Sequence, residues 1–108
     1  MGYTSIVRYE ITSTAIFNKW IGGIRDRQAV KAVALRLARA EAGNLGDIEP
    51  VDGGVSEMRI FVGKGYRIYI AFGNERLITL LCGGTKSSKK QQQQDIRKAI
   101  NIFGELEG

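Results

Sequence analysis

Residues 55–82 read VSEMRIFVGKGYRIYIAFGNERLITLLC. Three runs rich in β-branched and aromatic residues, VSEMRIFV (55–62), YRIYIAF (66–72) and RLITLLC (76–82), are parted by Gly63-Lys64-Gly65 and Gly73-Asn74-Glu75. Short glycine-containing connections between such runs are hairpin loops, so this stretch predicts a β-meander. Side chains alternate across a strand, which sorts the first two runs into faces. Met58, Ile60 and Val62 share an apolar face with Tyr66, Ile68, Ile70 and Phe72. Glu57, Arg59 and Phe61 lie on the other, with Arg67, Tyr69 and Ala71. A three-residue loop would pair Val62 with Tyr66, Arg59 with Tyr69 and Arg67 with Phe61.

Working outward, TSIVRYEI (4–11) predicts a further strand. Thr12 or Ser13 is the expected N-cap of a helix whose Ile16, Phe17, Trp20, Ile21 and Ile24 fall on one face, ended by Gly22-Gly23. Asp26 can cap a second helix, RQAVKAVALRLARAEA (27–42), with an apolar stripe of Val30, Val33, Ala34 and Leu37 and a stop at Gly43-Asn44. GNLGDIEPVDGG (43–54), which holds the single proline Pro50, is expected to be a loop. Beyond the meander, Ile96, Ala99, Ile100 and Phe103 recur at helical spacing, so a last helix runs from about Gln91, capped by Ser87 or Ser88. The order β-α-α-β-β-β-α, without an internal repeat, predicts one α+β domain over residues 1–108. Its twisted, mainly antiparallel sheet is expected on one side and its helices on the other.

The 108 residues suit one modest core, and 44% hydrophobic with 25% charged residues is ordinary for a globular chain. No apolar run approaches the roughly 20 residues of a membrane span, and no secretory leader is visible, so a cytoplasmic location without membrane association is expected. Cys82, the only cysteine, sits in LITLLC and reads as a small buried hydrophobe. Net charge is +5, but from Arg59 to Lys98 nine Lys/Arg face two acids, a net of +7, so the remainder carries −2. Such polarity suggests a polyanionic partner, because clustered cations gain counterion-release free energy on phosphates.

GGTKSSKK (83–90) follows a strand and precedes a helix, which invites a phosphate-loop reading. The spacing G-x-x-x-x-G-K-[ST] is not met, and G-x-G-x-x-G is absent, so nucleotide binding of either kind is not expected. With no histidine and one cysteine, metal sites and His-dependent triads are not expected, nor is a small-molecule cofactor. Any chemistry falls to Lys, Arg, Tyr and Glu57. RNA carries its own nucleophile, the 2′-OH, so cleavage there needs alignment, proton transfer and charge stabilisation at phosphorus, which Arg and Lys can supply. The outer face of the meander collects Glu57, Arg59, Arg67 and Tyr69. It is either a structural salt-bridge face, with Glu57 paired to Arg59, or a shallow basic groove in which Tyr69 or Phe61 stacks on bases.

The ordered set E-x-R (57–59), G-Y-R (65–67), L-L-C-G-G (80–84) and K-S (86–87), with FNKWIGGIRDRQAVKAVALRLAR (17–39) before it, resembles the HigB-type, phage-related "addiction module killer" branch of the RelE/ParE toxin superfamily. The resemblance covers nearly the whole chain. It implies the toxin of a type II toxin–antitoxin pair, a ribosome-dependent mRNA endonuclease that works without metal, with a helix-turn-helix antitoxin as partner. By position it implies site roles for Arg59, Arg67 and Lys86. Glu57 and Tyr69 are further catalytic candidates, and Phe61, Lys64, Lys89 and Lys90 are candidates for RNA contact. Thr85 stands where branch members carry an acid, and a tyrosine that some relatives place after this loop would fall within Gln91–Gln94. The alternatives are a gyrase-inhibiting ParE-like toxin, or an inactive homologue acting only with its antitoxin.

Overall fold

A computed structural model describes residues 8–107. Its elements are β1 (Glu10–Ser13), α1 (Ala15–Gly22), α2 (Arg27–Glu41), β2 (Ile48–Pro50), β3 (Val55–Ile60), β4 (Tyr66–Phe72), β5 (Leu77–Thr85) and α3 (Lys89–Glu107). Residues 4–7 of the expected first strand lie outside the described residues, and β1 runs on through Ser13. Thr14 therefore caps α1, in place of Thr12 or Ser13. Its Oγ1 accepts from the Phe17 N–H at 3.0 Å and donates to the Leu81 carbonyl at 2.7 Å, fixing helix and sheet together. Asp26 caps α2 as expected, its Oδ1 accepting from the N–H groups of Gln28 and Ala29. Gly43, at φ 103°, ends α2: its N–H and that of Asn44 close back on the carbonyls of Ala40 and Arg39.

The sheet has the order β1-β5-β4-β3-β2. β1 pairs with β5 in parallel, and the other pairs are antiparallel. β2 is an element the sequence does not announce. The expected loop 43–54 contributes three residues to the sheet edge, where Pro50 is tolerated because an edge strand leaves one N–H row unpaired.

Helices cover both faces, not one as expected. Phe17, Ala29, Val33 and Ala40 of α1 and α2 pack on Met58, Ile60, Tyr66, Ile68, Ile70, Ile78 and Leu80. Ala99 and Ile102 of α3 pack on Val55, Tyr69, Ala71, Leu81 and Cys82 across the sheet. The buried line of α2 is Ala29, Val33 and Ala40, while Ala34 of the expected stripe is exposed. Ser88 caps α3, its Oγ accepting from the Gln91 N–H at 3.1 Å, so the helix starts two residues earlier than expected.

No helix among the described residues is long and apolar enough to cross a membrane.

Candidate nucleic-acid interface

Alternation assigned the faces of β3 and β4 correctly, but the register differs by two residues. Glu57 lies opposite Tyr69, Arg59 opposite Arg67 and Ile60 opposite Tyr66. The physical reason is the loop. The strands part after Ile60, so five residues, 61–65, make the turn, with Gly63 and Gly65 at φ 54° and 84°. Two guanidiniums thus face each other across neighbouring strands, a pairing that repels unless anions compensate it.

Each arginine has its own carboxylates. Arg59 reaches Asp47 at 2.9 Å and Glu49 at 3.0 Å, and the hydrogen bond to Asp47 raises its pKa above the ordinary value. Arg67 puts its Nε 3.3 Å from Oε1 of Glu57. Glu57 is only 2% exposed, and its other oxygen accepts from Gln92 Nε2 of α3 at 2.8 Å. A buried carboxylate needs such partners, since an unpaired one is strongly disfavoured in the interior.

Arg36 holds the Asp47 side in place. From α2 its guanidinium donates to the carbonyls of Leu45, Asp47 and Arg59, at 2.9, 2.8 and 2.6 Å for the shortest bond to each. Gly46 is required beneath it: a Cβ there would lie 2.5 Å from Arg36 Nε, and φ is 67°. Burial pulls the Arg36 pKa down from its ordinary value, with Asp47 opposing the shift. The sequence reading missed Arg36, whose signal was a charged residue midway between the buried Val33 and Ala40.

Lys86 joins this face through a β-bulge. Tyr69 pairs with Cys82 and Ile70 with Leu80, so Leu81 is an extra residue on β5. Leu80 packs toward α1 and α2, whereas Leu81 and Cys82 both pack toward α3. The phase of every later residue is inverted. Gly83 then lies under the Trp20 ring, where a Cβ would come within 2.3 Å, and Gly84 under Asp95 of α3, within 2.5 Å of Oδ2. The two glycines extend β5 past its expected end at Cys82 and lie beneath helices on opposite faces. Two residues after Gly84, itself opposite Arg67, comes Lys86, whose N–H donates to the Gly65 carbonyl at 2.9 Å.

The result is a cavity of about 150 Å³ lined by Arg59, Phe61, Gly65, Tyr66, Arg67 and Lys86, with Ile60. Arg59, Arg67 and Lys86 were expected together, and the fold brings them to one place. Phe61 stands on its rim at 73% exposure. Tyr69 does not belong to it: the ring is fully buried under α3, its hydroxyl has no hydrogen-bond partner, and burial followed by the Glu57 charge pushes its pKa up. That placement removes Tyr69 from base stacking. Glu57 pairs with Arg67, not with Arg59, as the salt-bridge alternative had it. Lys64 lines a neighbouring groove, and Lys89 and Lys90 are exposed at the start of α3 without lining either space. Among the described residues, no three or more His, Cys, Asp or Glu are grouped to hold a metal ion. The cavity can hold one phosphate-sized anion between three cationic side chains.

The model of the family described as "Phage derived protein Gp49-like (DUF891)" matches residues 24–103, from just before α2 into α3. The chain belongs to that family. An uncharacterized protein of Haemophilus influenzae is 38% identical over 97 residues, covering 90% of this chain and 95% of its own length. Among solved structures, a chain of the RelBE2 toxin–antitoxin complex from Mycobacterium tuberculosis superposes with a TM-score of 0.57 at 15% identity. The match covers 74% of this chain and all of the other. At that identity the likeness is one of fold, and it bears out the expected RelE-like α+β architecture.

Proposed function

We propose that this Gp49-like protein is the toxin of a type II toxin–antitoxin pair, of the HigB-like kind, and cleaves mRNA on the ribosome through the RNA's own 2′-OH. The observation that carries the reading is the meeting of Arg59, Arg67 and Lys86 around one phosphate-sized cavity. The fold shared with a chain of a toxin–antitoxin complex supports the partner, a helix-turn-helix antitoxin.

In the proposed reaction the 2′-oxygen attacks the adjacent phosphorus, its proton passing to water. The P–O5′ bond breaks and leaves a 2′,3′-cyclic phosphate and a 5′-hydroxyl. Arg67, with Nε held by Glu57, has its terminal NH groups left for the phosphoryl oxygens, where charge builds in the transition state. Glu57 is then an anchor for Arg67 and not a base, since both of its oxygens are engaged. Lys86 protonates the departing 5′-oxygen. Arg59 is tied to two acids, so it shapes the cavity and adds field more than it grips substrate.

The test is induction in a bacterial host with mapping of mRNA 5′ ends during translation. Wild type is expected to cut within translated frames, and Lys86→Gln to slow cutting about 10²- to 10³-fold, the usual loss for one transition-state donor. Arg67→Lys separates charge from geometry better than Arg67→Ala, because it leaves Glu57 a cationic partner. Growth arrest with intact mRNA and damaged DNA would instead show gyrase inhibition.

A further inference from the structure

A second, larger space lies beside the cavity: a groove of about 680 Å³ between the α1–α2 turn and the β3–β4 loop. Lys19, Trp20, Ile24, Arg25, Lys64 and Thr85 line it. Tyr66 lines both spaces, and the neighbours Thr85 and Lys86 line one each, so groove and cavity adjoin at Tyr66.

The charges of the two spaces are organised differently. In the cavity two of three cations are already paired with carboxylates. In the groove Lys19, Arg25 and Lys64 are exposed and form no ion pair among the described residues. The one acid lining it, Asp26, spends Oδ1 on capping α2. The floor is aromatic and firm. Trp20 is seated on Gly83 and braced by the rings of Phe17 at 5.7 Å and Tyr66 at 6.4 Å, yet remains partly exposed. A braced indole under a rim of unpaired cations is the combination that holds single-stranded nucleic acid, base on ring and phosphates on cations.

The geometry points to a second nucleotide subsite here: single-stranded RNA leaves the cavity past Tyr66, lays a base on Trp20 and sets flanking phosphates on Lys19, Arg25 and Lys64. This rests on the ribonuclease reading of the cavity. Lys64 was already a candidate for RNA contact, whereas Lys19, Trp20 and Arg25 enter from the structure alone.

The test uses fluorescently labelled 2′-O-methyl RNA, which cannot be cut, in lengths of three and nine nucleotides, measured free and on programmed ribosomes. The protein is wild type or the triple variant Lys19→Gln, Arg25→Gln, Lys64→Gln, whose three sites are all exposed. The triple variant is expected to lose at least ten times more affinity for the nine-mer than for the three-mer. The slope of log K against log salt should fall by about 2, since each phosphate contact on a single strand contributes about 0.7. Lys86→Gln should weaken both lengths alike. A triple variant with wild-type nine-mer affinity overturns the subsite and leaves the cavity reading standing. If that variant also loses its antitoxin, the groove is a protein interface. Wild-type protein that binds neither length, free or on ribosomes, overturns both readings.

Discussion

Tyr69 has a phenol with no polar partner and no access to solvent. A buried hydroxyl left without a hydrogen bond costs on the order of 1–3 kcal/mol, so Tyr69→Phe should raise stability by about 1 kcal/mol, read as a higher urea midpoint with an unchanged slope. If the protein is the proposed toxin, growth arrest should persist in that variant. Loss of toxicity at undiminished stability would return the phenol to the chemistry. The sequence placed Tyr69 with the charged residues because they share a face, and that is correct. It could not show that α3 roofs one end of this face and stops short of the cavity that Arg59, Arg67 and Lys86 line at the other. Tyr69, Ala71, Leu81 and Cys82 already made that end apolar, and the apolar stripe of α3 had no other surface to meet.

Among the elements, β5 was the least legible. Its alternation is broken by the consecutive Leu80, Leu81 and Cys82, the mark of a bulge, and without that bulge Lys86 would fall on the α1–α2 side. The glycine pair falls past the expected strand end at Cys82, because glycine usually interrupts a strand. Here each member makes room for a different helix, and the two should differ in what they tolerate. At Gly83 a methyl meets an indole already wedged between Phe17 and Tyr66, while at Gly84 it meets the end of the Asp95 side chain. Gly83→Ala should therefore cost about 1–3 kcal/mol, the usual range for overpacking, and Gly84→Ala clearly less. Urea unfolding of the two variants side by side decides it. By contrast Asp26, Gly43 and Ser88 worked from sequence because a cap is a local interaction that tertiary packing did not override.

For the molecule as a whole, two weak acids lie on the α3 side of the sheet, and both are held protonated. Burial pushes the Cys82 thiol from 9.0 up to about 11 and moves the Tyr69 phenol upward as well. A group that ionises less readily when folded keeps its proton in the native state after the unfolded chain has lost it. The contribution of Cys82 to stability is therefore intact below about pH 9 and is lost as pH rises toward 11. Replacing Cys82 with Ala should flatten the decline of the urea midpoint between pH 9 and 11. An identical decline in that variant would assign the effect elsewhere.

The parallel partnership of β1 with β5 also dictates an order of assembly. Thr14 bonds to Leu81 across 67 residues, so the first described strand has no sheet to join until the last one has been made. Closing so long a span is slow, and the two helices between have only part of their cover until it happens. A nascent chain stopped anywhere before β5 has its arginines on β3 and β4 with only β2 beside them, and neither the bulge nor Lys86 to complete the cavity. The cationic cavity is thus among the last parts of this protein to exist, arriving only when nearly four-fifths of the sequence has left the ribosome.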